Sequence, residues 1–219
     1  MEKNLKVLSI ASKDTYKWLL EKHYAKRIPN ITNSFGLFNN NILIGIVTYG
    51  IPASPTLCKG ICGEKFAQYV IELNRLCLQN NDKNESSILV GRSLQLLPKP
   101  KIVVSYADTS QGHIGYVYQA TNFIYTGLSD KRTEWRIKNS NKHSKTISEQ
   151  YSLEERKNNP NKFEVVDRPR KHRYIFFVGS KKDKKMFNKN LKYTVTKYPK
   201  GNTQRYNSGN NVDTQMLLI

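Results

Sequence analysis

The 219-residue sequence lacks the features of membrane proteins and of disulfide-bonded secreted proteins. No apolar run approaches the roughly 18 residues that a membrane-spanning helix requires, so we expect no membrane partner. The first residues show neither a long apolar stretch nor a small-residue cleavage pattern, so we expect no signal peptide. The 3 cysteines are few and odd in number, which argues against a disulfide framework and for a reducing compartment. The cytoplasm is therefore the expected location.

Sequence motifs for a metal site are also missing. The chain has 4 histidines, and none of them stands in an HxH or HExxH spacing. Cys58 and Cys62 form one pair, with no second pair to complete a closed zinc site. The sequence therefore predicts no zinc site and leaves the ligands of any other metal unknown.

The chain is poor in acidic residues, with 17 Asp and Glu against 36 Lys and Arg, and its formal net charge is +19. Residues 131–219 hold 22 basic and 8 acidic residues, a balance of +14, whereas residues 1–130 carry +5. This asymmetry favours a polyanionic partner, because each Lys or Arg at a phosphate releases condensed counterions. The alternative is a basic proteome, in which Lys and Asn are common on any surface. Because the charge is clustered in one half, we favour nucleic acid.

Apolar patterning and turn signals predict an α/β protein with a mixed central sheet flanked by helices. The stretch 69–107 reads as strand, helix and strand, so we expect at least one parallel pair of strands. The NNN at 39–41 should turn a hairpin, because Asn tolerates positive φ. The expected order is helix 12–24, the NNN hairpin, loop 51–64, strand 69–78, helix SSILVGRSLQLLPK, strand KIVVSYAD, short helix HIGYVYQATN and strand FIYTG.

The first predicted helix should begin at Ser12 as its N-cap. It should then pack an apolar stripe with helical spacing against the sheet. The stripe consists of Tyr16, Leu19, Leu20 and Tyr24.

The basic second half is expected to continue the same domain. We divide the chain into a catalytic core over 1–130, a basic nucleic-acid-binding part with strands over 131–200, and a flexible tail over 201–219. Here KFEVVDRP and RYIFFVG are predicted strands, and KKDKKMFNKNLK is a predicted short basic helix. Basic residues interleave with aromatic ones, which suits phosphate contacts combined with base stacking; a solvated basic face is the alternative. The predicted nucleic-acid-binding residues are Arg168, Arg170, Lys171, Arg173, Lys181, Lys182, Lys184 and Lys185.

Polar and aromatic side chains are concentrated in SYADTSQGHIGYVYQATNFIYTG, residues 105–127, where a buried strand ends. Ligands of open α/β sheets gather at the carboxyl ends of parallel strands, and two predicted strands end at 75–79 and at Asp108. Asp108 could act as a base, orient an amine or hold a metal there, or it could simply cap the following turn. Tyr118 could donate a proton or be a core aromatic.

Arg75 lies inside an otherwise apolar strand, where an unpaired charge is costly. It therefore needs a partner, which could be Glu72 or a phosphate. Ser86 and Ser87 open the next helix as natural N-caps, and a helix N-terminus is also an anion site. We predict Arg75, Ser86 and Ser87 as cofactor-binding residues.

Four stretches carry a resemblance to a known family: ELNRLCL, ESSILVGRSLQLLPKP, SYADTSQGHIGYVYQATNFIYTG and RPRKHRYIFFVG. They resemble the Mom family of phage DNA-modification proteins, and the order of elements resembles the GNAT acyltransferase fold. The resemblance runs from about residue 13 to about residue 200. It implies an enzyme that converts adenine in DNA to its N6-methylcarbamoyl form and thereby protects phage DNA from restriction. The catalytic residues that it implies are Tyr49, Arg75, Ser87, Asp108 and Tyr118.

The resemblance also implies an acetyl-CoA-like donor and leaves iron open as a metal. The chain departs from ordinary GNAT enzymes where QNNDKNESS replaces the Gly-rich R/Q-x-x-G-x-G/A loop that holds the cofactor pyrophosphate. We expect double-stranded DNA as the partner and keep a homodimer open.

These observations lead to one mechanistic hypothesis and two rivals. The strand-end cluster would receive an extruded adenine, with Asp108 orienting or deprotonating its N6 amine and Tyr118 donating a proton or hydrogen bond. One rival is a GNAT-type acyltransferase that acts on RNA or on protein amines. The other is a non-catalytic DNA-binding protein that masks DNA. The match over 105–127 favours DNA modification.

Overall fold

The computed structural model of the protein describes residues 4–140, 142 and 144–201. The predicted flexible tail over 201–219 lies outside the described residues except for Gly201. In the described part, no helix is long and apolar enough to cross a membrane. The three cysteines are free thiols and all are buried.

A seven-stranded mixed sheet forms the centre of the fold, which confirms the predicted architecture. Its strand order is β1-β2-β3-β4-β5-β9-β6, and β4 and β5 form its parallel pair, as expected from the strand–helix–strand pattern. A separate two-stranded ribbon, β7–β8, is inserted between β6 and β9. The strands are β1 Leu5–Ser9, β2 Asn33–Asn39, β3 Ile42–Gly50, β4 Val70–Leu78, β5 Lys101–Asp108, β6 Ile124–Leu128, β7 Arg132–Ile137, β8 Phe163–Arg168 and β9 Lys171–Val178.

The described part of the chain contains six α-helices. The first of them shows that one prediction from the sequence was wrong. Residues 51–64 were expected to form a loop because of their Pro and Gly content, but they contain α1. Ser54 caps this helix by accepting a hydrogen bond from Leu57 N, and Pro55 occupies the first turn, where its missing N–H costs nothing. The helices are α1 Pro55–Cys62, α2 Glu85–Leu96, α3 Tyr116–Ala120, α4 Ser144–Gln150, α5 Leu153–Asn158 and α6 Lys181–Lys189.

The NNN turn behaves as predicted, whereas the first helical segment does not. Asn40 and Asn41 have φ of 48° and 68° and join β2 to β3. The segment predicted as a helix over 12–24 consists of a 3₁₀ turn, Ser12–Thr15, and a π-helical turn, Trp18–Lys22, and its N-cap is Ala11.

The predicted apolar stripe on this segment is wrong except at Leu19. Trp18 and Leu19 are buried, whereas Tyr16, Leu20 and Tyr24 are 40%, 45% and 54% exposed. The π-helical turn has more residues per turn than an α-helix, so the side chains that face the core no longer follow the 3.6-residue period.

Helices cover both faces of the sheet. On one face, α2 and the segment after α3 bury Leu89 and Phe123 against Tyr174 of β9. On the other face, α1 and α6 bury Ile61 and Phe187 against the inner strands. The centre of the sheet is thereby shielded from water, which is typical of a parallel strand pair.

Backbone pairing between β4 and β5 stops halfway along the strands. The pairs run from Val70 opposite Ile102 to Leu73 opposite Ser105, although β4 continues to Leu78 and β5 to Asp108. The Ser105 hydroxyl donates a hydrogen bond to the Leu73 carbonyl at the last pair. Beyond this point the two strands part and leave a wedge at their carboxyl ends, which is where the candidate site lies.

Two glycines in the segment before α3 differ in what surrounds them, which allows a matched stability test. Gly115 and Gly112 have φ of 83° and 65°, and both favour glycine. A Cβ at Gly115 would collide with the Tyr174 ring, whereas one at Gly112 would meet nothing within 4 Å. We expect Gly112→Ala to lower the free energy of unfolding by about 1–2 kcal/mol, the cost of the left-handed conformation.

For Gly115→Ala we expect a larger loss, roughly 3–5 kcal/mol, because overpacking against the aromatic ring adds to the backbone cost. Urea denaturation followed by circular dichroism would measure both variants. Equal losses would show that Tyr174 does not restrict this position.

Candidate active site

The wedge between β4 and β5 contains a cavity of about 450 Å³. The carboxyl half of β4 forms one wall, Tyr106 and Ala107 of β5 form another, and the segment 113–118 closes it. The carboxyl ends of parallel strands are the usual ligand-binding edge of an α/β sheet. The cavity thus lies at the strand ends where the sequence analysis expected the site.

Arg75 points a largely buried guanidinium into this cavity. One Nη atom donates to the carbonyl of Asn74 at 2.7 Å, while Nε is buried and has no hydrogen-bond partner among the described residues. Burial lowers the pKa of the guanidinium, and Tyr24 and Glu72 raise it again in part. Because Arg keeps its charge in proteins, the buried Nε is a donor available to an anionic or carbonyl ligand.

Glu72 lies on the same strand and also lines the cavity. Its carboxyl group has no hydrogen bond or ion pair within the described ranges, and Arg75 and Lys171 act on it only as nearby charges. Burial raises the pKa of Glu72 above its ordinary value, and those two cations oppose the rise. Glu72 is therefore a carboxyl group that can take up a proton in a dry environment.

Asp108 ends β5 and lies in a different electrostatic environment. Its carboxylate accepts hydrogen bonds from the backbone N–H and hydroxyl of Ser110, at 3.0 and 2.7 Å. It also pairs with the Lys171 ammonium group at 2.7 Å. Burial alone would raise the pKa of Asp108, but the contacts with Lys171 and Ser110 outweigh it, so the pKa lies below the ordinary value. Asp108 both caps the turn, one of the two readings left open, and remains a fixed negative charge beside the cavity.

Tyr118 lies in α3. It is both a core aromatic residue and a hydroxyl donor at the cavity, the two interpretations that the sequence left open. The side chain is only 8% exposed and packs against Phe123 and Tyr174, with ring centroids 5.3 and 5.2 Å apart, yet it also lines the cavity. Burial raises the pKa of Tyr118 to about 12, while a hydrogen bond with Ser105 lowers it. The phenol therefore stays protonated and can act as a donor toward the cavity.

Aromatic rings stand at the cavity mouth. Tyr24 is 54% exposed, stacks on His23 with centroids 4.4 Å apart and meets His113 edge-on at 6.2 Å. All three residues line the cavity. Burial lowers the pKa of His23 to about 4, and Arg75 and His113 contribute in the same direction, so His23 is neutral near pH 7.

Of the remaining predicted site residues, one lines the cavity and two do not. Ser86 lines it, whereas the Ser87 hydroxyl donates to the Asn84 carbonyl at 3.0 Å. Asn84, with φ of 67°, is the N-cap of α2, so the expectation that Ser86 or Ser87 caps this helix is wrong. Tyr49 of β3 is fully buried and shares a 2.7 Å hydrogen bond with Ser93 of α2, away from the residues that line the cavity.

The predicted nucleic-acid-binding residues fall into two groups at opposite ends of β9 and one buried residue, Arg173. Arg168, Arg170 and Lys171 lie at the Asp108 end of the sheet, where Lys171 is directly opposite Asp108 in the β5–β9 ladder. Arg173 was expected at a phosphate, but it is 8% exposed and donates to the Thr126 hydroxyl at 2.9 Å. The basic residues of α6 come after the end of β9 that is far from Asp108. They are Lys181, Lys182, Lys184 and Lys185.

The residues that the structure describes provide no group of three or more His, Cys, Asp or Glu side chains able to hold a metal ion. The described residues of the site therefore do not fit the iron that the resemblance left open.

Sequence reasoning missed two members of the site. Glu72 was considered only as a structural partner of Arg75, although a second charge three residues from it in an apolar strand was a usable signal. Tyr24 was assigned to a buried stripe, and nothing in the local pattern distinguishes a buried ring from one at a cavity mouth.

Comparison with known proteins agrees with the resemblance. The model of the Mom protein family matches residues 4–200. The chain is 29% identical over 192 residues to "Methylcarbamoylase mom" of Escherichia phage Mu, covering 82% of this chain and 77% of that protein.

Solved acetyltransferase structures are also similar, at low identity. One is an N-acetyltransferase of Staphylococcus aureus Mu50, which is 13% identical with a TM-score of 0.43, over 80% of this chain and 99% of that chain. Another is yncA of Salmonella typhimurium, a candidate acetyltransferase solved with its cofactor acetyl-CoA; it is 8% identical with a TM-score of 0.45, over 80% of this chain and 95% of that chain. Because the family model spans nearly all of the described residues, the chain belongs to the Mom protein family.

Proposed function

We propose that this protein is a transferase that converts adenine in double-stranded DNA to N6-methylcarbamoyl-adenine and so protects phage DNA from restriction. The observation that carries the proposal is the polar cavity at the β4–β5 wedge in a chain that matches the Mom family over residues 4–200. Its volume of about 450 Å³ lies within the usual range for small-ligand sites, and its Tyr24 ring is exposed at the mouth.

The cavity suits a base that has left the duplex stack. Extrusion costs a few kcal/mol, which stacking on an aromatic side chain offsets in part. Tyr24 offers such a ring at the mouth, and Tyr118 offers a hydroxyl in the interior. The positive charges of Arg168 and Lys171 at the same end of the sheet support binding of the phosphates on either side of the base.

Arg75 and the first turn of α2 are the residues suited to hold an acyl-CoA-type donor. The buried Arg75 Nε without a partner fits a donor carbonyl or phosphate, and Ser86 faces the same cavity at the helix start. A bound donor would supply the carbon that bonds to N6, and the remainder of the donor would depart with the electron pair of the bond broken at that carbon.

The two carboxyl groups of the site suit different tasks, because their pKa values are moved in opposite directions. Transfer to the N6 amine releases one proton. Glu72, with its raised pKa, accepts that proton, while the permanently ionised Asp108 orients the amine by accepting a hydrogen bond from its second N–H. Tyr118 donates a hydrogen bond to the group that becomes negative as the transfer proceeds.

Nucleoside mass spectrometry on plasmid DNA from cells that express the protein tests the function. We expect deoxyadenosine with one carbamoylmethyl group from the wild type, and roughly 100-fold less from Asp108→Asn, because the neutral amide is a weaker acceptor than the carboxylate and loses the ion pair with Lys171 that fixes it. Asp130→Asn changes an exposed carboxylate and should keep the wild-type level. Unmodified DNA from a folded protein would contradict the proposal, and the same adduct in RNA would point to the RNA-modifying rival.

The pH dependence of DNA modification separates the roles of the two carboxyl groups. Below the raised pKa of Glu72 its carboxyl is protonated and cannot accept a proton, so the wild-type rate should fall as the pH drops through that value. Asp108, whose pKa is lowered, stays ionised throughout, so Asp108→Asn should lower the rate without removing this acid limb.

Glu72→Gln should be roughly 10²–10⁴ slower and should lose the acid limb. Glu64→Gln changes an exposed carboxylate at the other end of the sheet and serves as the matched control. A Glu72→Gln enzyme that keeps its rate within about threefold would show that another group accepts the proton.

A further inference from the structure

We propose that the β7–β8 ribbon is a DNA-binding element that enters a groove of the duplex next to the target adenine, with Arg132 and Arg168 at its phosphate-contacting end. This inference rests on the proposed function, because it assigns the surface that presents the DNA to the cavity.

The ribbon is attached to the sheet at the cavity end. Before the insertion, Leu128 pairs with His172, and Ser129 N donates to the Lys171 carbonyl at 2.8 Å. After it, the Arg170 carbonyl accepts a hydrogen bond from the Thr109 hydroxyl at 2.5 Å, one residue beyond Asp108. Both ends of the insertion therefore leave the sheet beside Asp108.

Helices cover part of one face of the ribbon, and most of the other face is exposed to solvent. Antiparallel register places Thr133, Trp135 and Ile137 on the same face as Phe163. Helices α4 and α5 cover the Phe163 end of this face: Phe163 is buried against Tyr151, with centroids 5.0 Å apart, and the Arg156 guanidinium lies 5.7 Å from the Trp135 ring. Toward the ribbon base the same face is exposed at Thr133, Val165 and Asp167.

The opposite face carries the charged residues of the ribbon except Asp167, which lies opposite Thr133 on the first face. Its basic members are Arg132, Arg136 and Arg168, and its acidic members are Glu134 and Glu164. The side chains of Arg136 and Arg168 are 46% and 48% exposed. Burying these charges without a partner is costly, so the surface is suited to a charged partner that pairs with them.

The first pair of the ribbon places two positive charges opposite each other. Arg132 is directly opposite Arg168, an arrangement that destabilises a strand pair. Glu134 compensates part of the charge of Arg168, which it contacts at 3.9 Å, and it also contacts Arg136 at 3.0 Å. Arg132 has no ion pair or hydrogen bond among the described residues. A phosphate between Arg132 and Arg168 would remove the repulsion and release counterions.

Shape and position agree with a duplex partner. The major groove of B-DNA, about 12 Å wide, admits a two-stranded β-ribbon. The charge of Arg132 reaches the cavity wall: burial raises the pKa of Tyr106, which lines the cavity, and Arg173 and Arg132 act to lower it. A duplex that contacts this end of the ribbon therefore lies beside Asp108 and near the Tyr106 wall of the cavity.

A matched pair of double variants tests the ribbon. Arg132→Ala with Arg168→Ala removes two charges at the ribbon base, and Lys65→Ala with Lys99→Ala removes two exposed charges at the other end of the strands. These ends lie roughly 23 Å apart along β5, which has 8 residues. Binding of the full-length proteins to a mixed-sequence 24-base-pair duplex would be measured by fluorescence anisotropy as a function of salt. Circular dichroism would confirm that each variant is folded.

We expect the ribbon variant to bind roughly 10- to 100-fold more weakly, with a salt slope less steep by about 2, and the control to change by less than about threefold. Equal losses in both variants, or no loss in either, would overturn the proposal.

Adduct formation measured on the same proteins separates this proposal from the proposed function. A wild type that binds through the ribbon but never modifies adenine would refute the function and leave the ribbon in place. A wild type that modifies adenine while the ribbon variant binds normally would refute the ribbon alone.

Discussion

The early end of backbone pairing between β4 and β5 is the constraint on which the rest of the structure depends. Up to Leu73 and Ser105 the strands share a ladder, and beyond that pair they part. Polar groups that a continuous sheet would bury between helices can therefore face a cavity. Arg75 on one strand and Tyr106 on the other lie beyond the last pair and line the same space, and Glu72, opposite Val104 inside the ladder, lines it as well.

Within the wedge, burial and charge act on similar groups in opposite ways. Burial raises the pKa of Glu72, which gains no hydrogen bond or ion pair within the described part of the chain. Asp108 is also partly buried, but its contacts with Lys171 and Ser110 lower its pKa. The pKa values of two carboxyl groups near one cavity thus move in opposite directions because of their neighbours and not because of their type. The same arrangement leaves Arg75 with a buried donor that the described part of the protein does not satisfy.

The Asp108–Lys171 pair also connects the cavity to the basic half of the chain. Strand β9 lies between β5 and β6, so residues from the second half complete the central sheet. The ribbon starts and ends beside this pair. The proposed DNA-binding surface and the candidate active site are therefore built on one frame, although the net charge of the chain alone would also have fitted a separate basic tail.

The sequence by itself determined the mixed sheet, the parallel pair, the NNN hairpin and the strand-end position of Asp108, since each follows from local periodicity or turn chemistry. It did not predict α1, the exposure of Tyr24 or the burial of Arg173, because these depend on which face packs against the sheet. Tertiary structure alone decided which polar residues meet. The partner of Asp108 lies 63 positions away at Lys171, and Arg75 and Tyr106 line one cavity because the β4–β5 ladder ends before them. Pairing across a sheet is set by register between distant segments, and no local pattern encodes it.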